Sequence, residues 1–119
     1  MQEKLKSFGL IQSRVELIKG YFKETLNDEF KIRIKKENRK IGFAFLDCNI
    51  APSYQTALDF LEEFLQPEQC FIYLDEYFQN SKVPKIFKNF CANVNKKYGL
   101  THYYVRTAGS FGALFKLMK

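Results

Sequence analysis

Apolar positions along this chain follow two rhythms. Arg14 to Ile18, Ile41 to Leu46 and Cys70 to Leu74 are short runs, mostly apolar on both faces, and they stop at Gly20, Asp47 and Asp75 respectively. Runs of that length and polarity predict strands of a parallel sheet covered on both sides. From Ser53 to Leu65 the rhythm changes: Ala57, Phe60, Leu61, Phe64 and Leu65 fall at helical spacing, with Ser53 placed to cap the start and Pro67 beyond the end. A second helix is predicted over Val83 to Lys97, where Phe87, Phe90, Cys91 and Val94 form the stripe, Pro84 sits in the first turn and Gly99 follows the end.

The tail departs from this alternation. His102 to Arg106 and Ala113 to Leu117 read as strands, and only Thr107 to Gly112 joins them, a connection too short for anything but an antiparallel hairpin. With a helical or irregular start at Glu3 to Phe8, the order is β-α-β-α-β-α-β-β, an α/β chain. No repeat, low-complexity tract or Pro/Gly-rich linker divides residues 1–119, which are read as one domain.

Composition narrows the class. A hydrophobic fraction of 46% fills a globular core, no apolar run approaches the roughly 20 residues that span a bilayer, and Met1 to Lys4 leads into no signal-peptide core. Cys48, Cys70 and Cys91 cannot all pair with one another and show no zinc spacing, so they read as reduced thiols of a cytoplasmic chain. The net charge of +6 is concentrated in Lys31 to Lys40, where six basic residues face one acid, Glu37. A solvated connector before a buried strand explains that stretch more simply than a nucleic-acid patch.

Candidate chemistry sits where parallel strands end, because ligands of open α/β sheets bind at the carboxyl ends. Asp47, Asp75 and Glu76 occupy such ends, and adjacent strands about 4.8 Å apart would bring these hard oxygen donors toward one divalent cation. The alternative is that they cap helices or face water. His102, the single histidine, reads as a strand-surface residue rather than a base, and no nucleophile arrangement can be assembled around it. The segment Ala108 to Gly112 is glycine-rich but joins strand to strand, the wrong context for cradling phosphate.

Four ordered segments now resemble a known family. Val15 to Leu26, with its strand, Gly20-Tyr21-Phe22 and Thr25-Leu26; Phe45 to Ile50 with Ser53 and Tyr54; Ile72 to Tyr77; and Arg106 to Phe115 are similar to segments of the macrocin O-methyltransferase family. The resemblance implies a Rossmann-like S-adenosylmethionine-dependent methyltransferase acting on a sugar or small-molecule hydroxyl with magnesium. It implies Asp47, Asp75 and Glu76 as metal ligands, Asp47 also as a base, and Gly20, Tyr21 and Phe22 along the adenine side of the cofactor. Asn49 stands in place of the family's second aspartate, Ala51-Pro52 in place of Tyr-Glu, and Glu76 in place of an aspartate, which alters charge and reach at the site.

Sheets of this class run in the order 3-2-1-4-5-7-6. The resemblance assigns to this chain only strands 3, 4, 5, 6 and 7, a partial sheet without the glycine-rich loop that holds the methionine end of the cofactor. Ile41 to Leu46 would then be a bare apolar edge, which invites pairing. The expectation is a carboxyl-terminal portion, inactive alone, that is completed by a separately encoded amino-terminal half or by a second copy. The competing reading is a non-catalytic remnant or protein-interaction module of the same fold.

Overall fold

The structure, a computed structural model, describes residues 20–119. The predicted strand Arg14 to Ile18 and the start at Glu3 to Phe8 lie outside the described residues. From Gly20 the order is α1 (Phe22–Thr25), α2 (Asp28–Lys36), β1 (Phe43–Leu46), α3 (Ala51–Phe64), β2 (Gln69–Leu74), α4 (Lys82–Tyr98), β3 (Thr101–Ala108) and β4 (Gly112–Met118). It is an α/β architecture in which the four strands form one mixed sheet, ordered β1-β2-β4-β3. β1 and β2 are parallel, while β4 runs antiparallel to both β2 and β3.

Register explains which side chains are buried. Cys70, Ile72 and Leu74 alternate into the core from β2, and their partners Leu117, Phe115 and Ala113 do so from β4. Over this face lie α3, through Ala57, Leu58 and Leu61, and α4, through Val83, Phe87, Phe90, Cys91 and Val94. Tyr98 at the end of α4 donates its hydroxyl to the Glu62 carbonyl at 2.7 Å, which fastens the two helices together. No helix among the described residues is long and apolar enough to cross a membrane.

The other face differs from the expectation of a sheet covered on both sides. Phe43 pairs with Phe71 and Lys116 across the sheet, and Phe45 with Tyr73 and Leu114. These side chains point away from α3 and α4, and Phe43 and Phe45 are each 58% exposed. Among the described residues β1 is also a sheet edge. The strands carry apolar residues on both faces, but the described helices cover only one of those faces.

Two helix boundaries also move. α3 begins at Ala51 after extended Ile50, so Ser53 lies inside the first turn rather than capping it. Pro52 explains the shift: its fixed φ and missing N–H suit the first turn, where amide groups lack helical partners anyway. α4 ends as predicted at Gly99, whose φ of 73° is the left-handed conformation that glycine adopts without strain. The basic stretch is mostly helix: Asn27 caps α2 by accepting from the Phe30 N–H at 2.9 Å, and the helix lays no buried residue against the core.

Candidate functional site

The site is made by two strand ends. Leu46 and Leu74 are register partners in the parallel pair β1/β2, so the next residues, Asp47 and Asp75, emerge side by side. The Asp75 N–H donates to the Leu46 carbonyl at 3.0 Å, which extends the pairing to the residues that carry the carboxylates. Asp47 is exposed and Asp75 half-buried. A hydrogen bond with Asp75, then the like charge of Asp75, then slight burial push the Asp47 carboxyl above its ordinary range.

Tyr73 aims this pair. Its ring stacks on Phe45 with centroids 4.6 Å apart and an interplanar angle of 17°. Its hydroxyl lies 3.1 Å from Asp75 Oδ1 and 3.2 Å from the Ala108 carbonyl, so the single hydroxyl hydrogen is offered to two acceptors. Burial, the hydrogen bond to Asp75 and the charges of Asp75 and Asp47 all raise its pKa. Gly112 makes room for the ring tip: a Cβ there would sit 2.0 Å from Tyr73 Oη and 2.7 Å from the Ala108 carbonyl oxygen. The hairpin therefore serves the site through backbone and space.

Glu76 is tied to the fold through its backbone. Its N–H donates to the buried Tyr54 hydroxyl at 3.2 Å. Burial foremost pushes the Tyr54 phenol up to about 12, with the Glu76 charge adding to the shift. Burial likewise pushes the Cys48 thiol up to about 11, with Asp47 and Glu76 contributing. Glu76 is thus near Tyr54 and Cys48, and among the described residues no three His, Cys, Asp or Glu side chains converge in a group that could hold a metal ion. Of the three predicted ligands, the structure brings Asp47 and Asp75 together.

The predicted cofactor residues fall at the start of α1. Gly20 has φ of 138°, a conformation that favours glycine, and a Cβ there would meet Thr25 Cγ2 at 2.8 Å. Tyr21 and Phe22 line an open cleft of about 340 Å³ with Lys23, Ile50, Pro52, Ser53 and Thr56. Tyr21 is 80% exposed. His102 lies on the exposed strand β3 with its ring 6.2 Å from Phe87 and 6.4 Å from Phe115, in keeping with a strand-surface residue. All three cysteines are free, buried thiols.

Sequence reasoning missed Tyr73, Tyr54 and Gly112. Tyr73 stands two residues before Asp75, on the same side of the strand by alternation, which is a signal that was available. Nothing local connects Gly112 to Tyr73, because that contact depends on β4 lying beside β2.

An α/β chain with two acids at the carboxyl ends of adjacent parallel strands belongs to a broad class of ligand-binding sheets. Residues 1–106 match the model of the macrocin-O-methyltransferase (TylF) family, and the chain belongs to that family. Membership places it among methyltransferases, for which S-adenosylmethionine is the implied methyl donor. A comparison with curated proteins gives no match.

Proposed function

We propose that this chain forms the carboxyl-terminal part of a Rossmann-like, S-adenosylmethionine-dependent O-methyltransferase acting on a sugar or small-molecule hydroxyl, with Asp47 and Asp75 as its acceptor-side acids. The observation that carries the reading is their emergence side by side from β1 and β2. Further support is the strand order β1-β2-β4-β3, which corresponds to strands 4-5-7-6 of a methyltransferase sheet.

Asp47 is the base in this reading. The neighbouring Asp75 raises its proton affinity, so it accepts the proton of an acceptor hydroxyl more readily than an isolated carboxylate would. Asp75, held by Tyr73, keeps the second oxygen donor in place. As hard donors whose mutual repulsion a cation relieves, Asp47 and Asp75 fit magnesium, which commonly takes one or two carboxylates and keeps several waters. When bound, such an ion acts as a Lewis acid toward the acceptor oxygen. Tyr21 and Phe22 offer apolar cover to the adenine of the donor in the cleft beside α3.

The 119 residues contain no Gly-x-Gly-x-x-Gly after a strand. Activity in this reading therefore needs an amino-terminal half with a glycine-rich loop to complete the donor site and to cover the Phe43/Phe45 face. Calorimetry tests this: the chain co-expressed with an amino-terminal half that carries a glycine-rich loop binds S-adenosylmethionine, and absence of binding by a well-folded pair overturns the reading.

A second reading, a non-catalytic module of the same fold, draws on the exposed Phe43 and Phe45 and on Asn49 in place of an aspartate. Methyl transfer dependent on Asp47 would eliminate it.

A further inference from the structure

A second concave surface lies away from the acid pair, between the first turns of α4 and the start of β3. It encloses about 370 Å³ and is lined by Tyr77, Pro84, Lys85, Phe87, Lys88 and His102. Its floor is aromatic: Phe87 is buried, Tyr77 meets it edge-on at 6.3 Å, and the His102 ring meets it edge-on at 6.2 Å. Its rim is cationic. Lys85 and Lys88, three residues apart, share one face of α4, and both are exposed.

No carboxylate lines this groove. Neither groove lysine has an acidic partner among the described residues. The His102 ring makes no hydrogen bond among the described residues, and neither does the Tyr77 hydroxyl. The groove thus combines a flat apolar floor with unengaged donors and two uncompensated positive charges. Its volume falls within the usual range for small-ligand sites, about 300 to 1,000 Å³.

We propose that this groove binds a small aromatic acid, a flat ring bearing a phosphate or carboxylate, with the ring against Phe87 and the anion between Lys85 and Lys88. An anion there relieves the repulsion of the two ammonium groups, and the ring covers apolar surface that the half-buried Tyr77 and Pro84 leave accessible above Phe87. None of these groups belongs to the acid pair or the α1 cleft, so the site stands independently of methyl transfer.

The test uses the full chain with phenyl phosphate, inorganic phosphate and benzyl alcohol as probes, followed by calorimetry and by the NMR signals of His102. Phenyl phosphate is expected to bind saturably, shift the His102 resonances and exceed each of the other two probes by about tenfold or more in affinity. Lys85→Gln/Lys88→Gln is expected to weaken it by about tenfold without moving the thermal midpoint, since both side chains are exposed. Equal affinity for inorganic phosphate would reduce the groove to a bare cationic surface and overturn the proposal. Equal affinity for benzyl alcohol, or an unchanged affinity in the double variant, would overturn it as well.

Discussion

Replacing Gly112 with alanine perturbs the contact that aims Tyr73 at the acid pair. The new Cβ would stand 2.0 Å from Tyr73 Oη, 2.5 Å from its Cζ and 2.7 Å from the Ala108 carbonyl oxygen. The tyrosine cannot swing aside freely, because its ring is stacked on Phe45. The hairpin backbone cannot yield alone either, since Ala108 and Gly112 are register partners. Forcing a methyl into a filled site costs about 1–3 kcal/mol. Losing the hydroxyl's bond to a charged acceptor adds about 1 kcal/mol or more. For a chain of this length the combined loss lowers the thermal midpoint by roughly 10 °C. Circular dichroism melts of the wild-type and Gly112→Ala chains measure it. In a Tyr73→Phe background the penalty shrinks but persists, because Cζ remains while Oη is gone. A midpoint within about 2 °C of wild type would refute the reasoning, for Tyr73 would then be free to move at no cost.

Three further outcomes follow from the same geometry. Asp47 holds its proton more tightly in the folded chain than its ordinary 3.8, so stability falls as pH rises through and above that value. Asp47→Asn escapes this loss: its urea midpoint should exceed wild type at neutral pH, and the two should converge at about pH 3. Burial holds the Cys48 and Cys70 thiols up at about 11 and Cys91 at about 12, so a disulfide reagent at mildly alkaline pH should label the native chain slowly and label all three once guanidinium unfolds it. Gly99→Ala should cost about 1–2 kcal/mol in a denaturant titration, purely from the left-handed backbone, because nothing lies within 4 Å of the added methyl.

Local pattern carried far in this chain. The stripes Ala57, Phe60, Leu61, Phe64 and Phe87, Phe90, Cys91, Val94 are buried as their spacing predicts. The short connection after Arg106 makes the antiparallel hairpin, although β3 runs longer than predicted and shifts register between Tyr104 and Arg106. Asp47, Asp75 and Glu76 were read together as strand-end acids, and the alignment of neighbouring parallel strands brings Asp47 and Asp75 side by side. Three features were not legible. Ser53 looked like a cap until Pro52 drew the helix start back to Ala51. The apolar residues on both faces of β1 said nothing of which face the described helices would cover. Tyr73 and Gly112 meet only because β4 returns between β2 and β3, a contact 39 positions long that no local periodicity encodes.

The most direct test of the central claim is methyl transfer from labelled S-adenosylmethionine to a sugar hydroxyl by the chain complemented with an amino-terminal half. Wild type and Asp47→Asn are to be compared at equal S-adenosylmethionine occupancy. A base in the transition state contributes about 100-fold or more, so Asp47→Asn should lose at least that factor in turnover while still binding the donor. Turnover by Asp47→Asn equal to that of wild type would contradict the assignment of the acid pair to the chemistry.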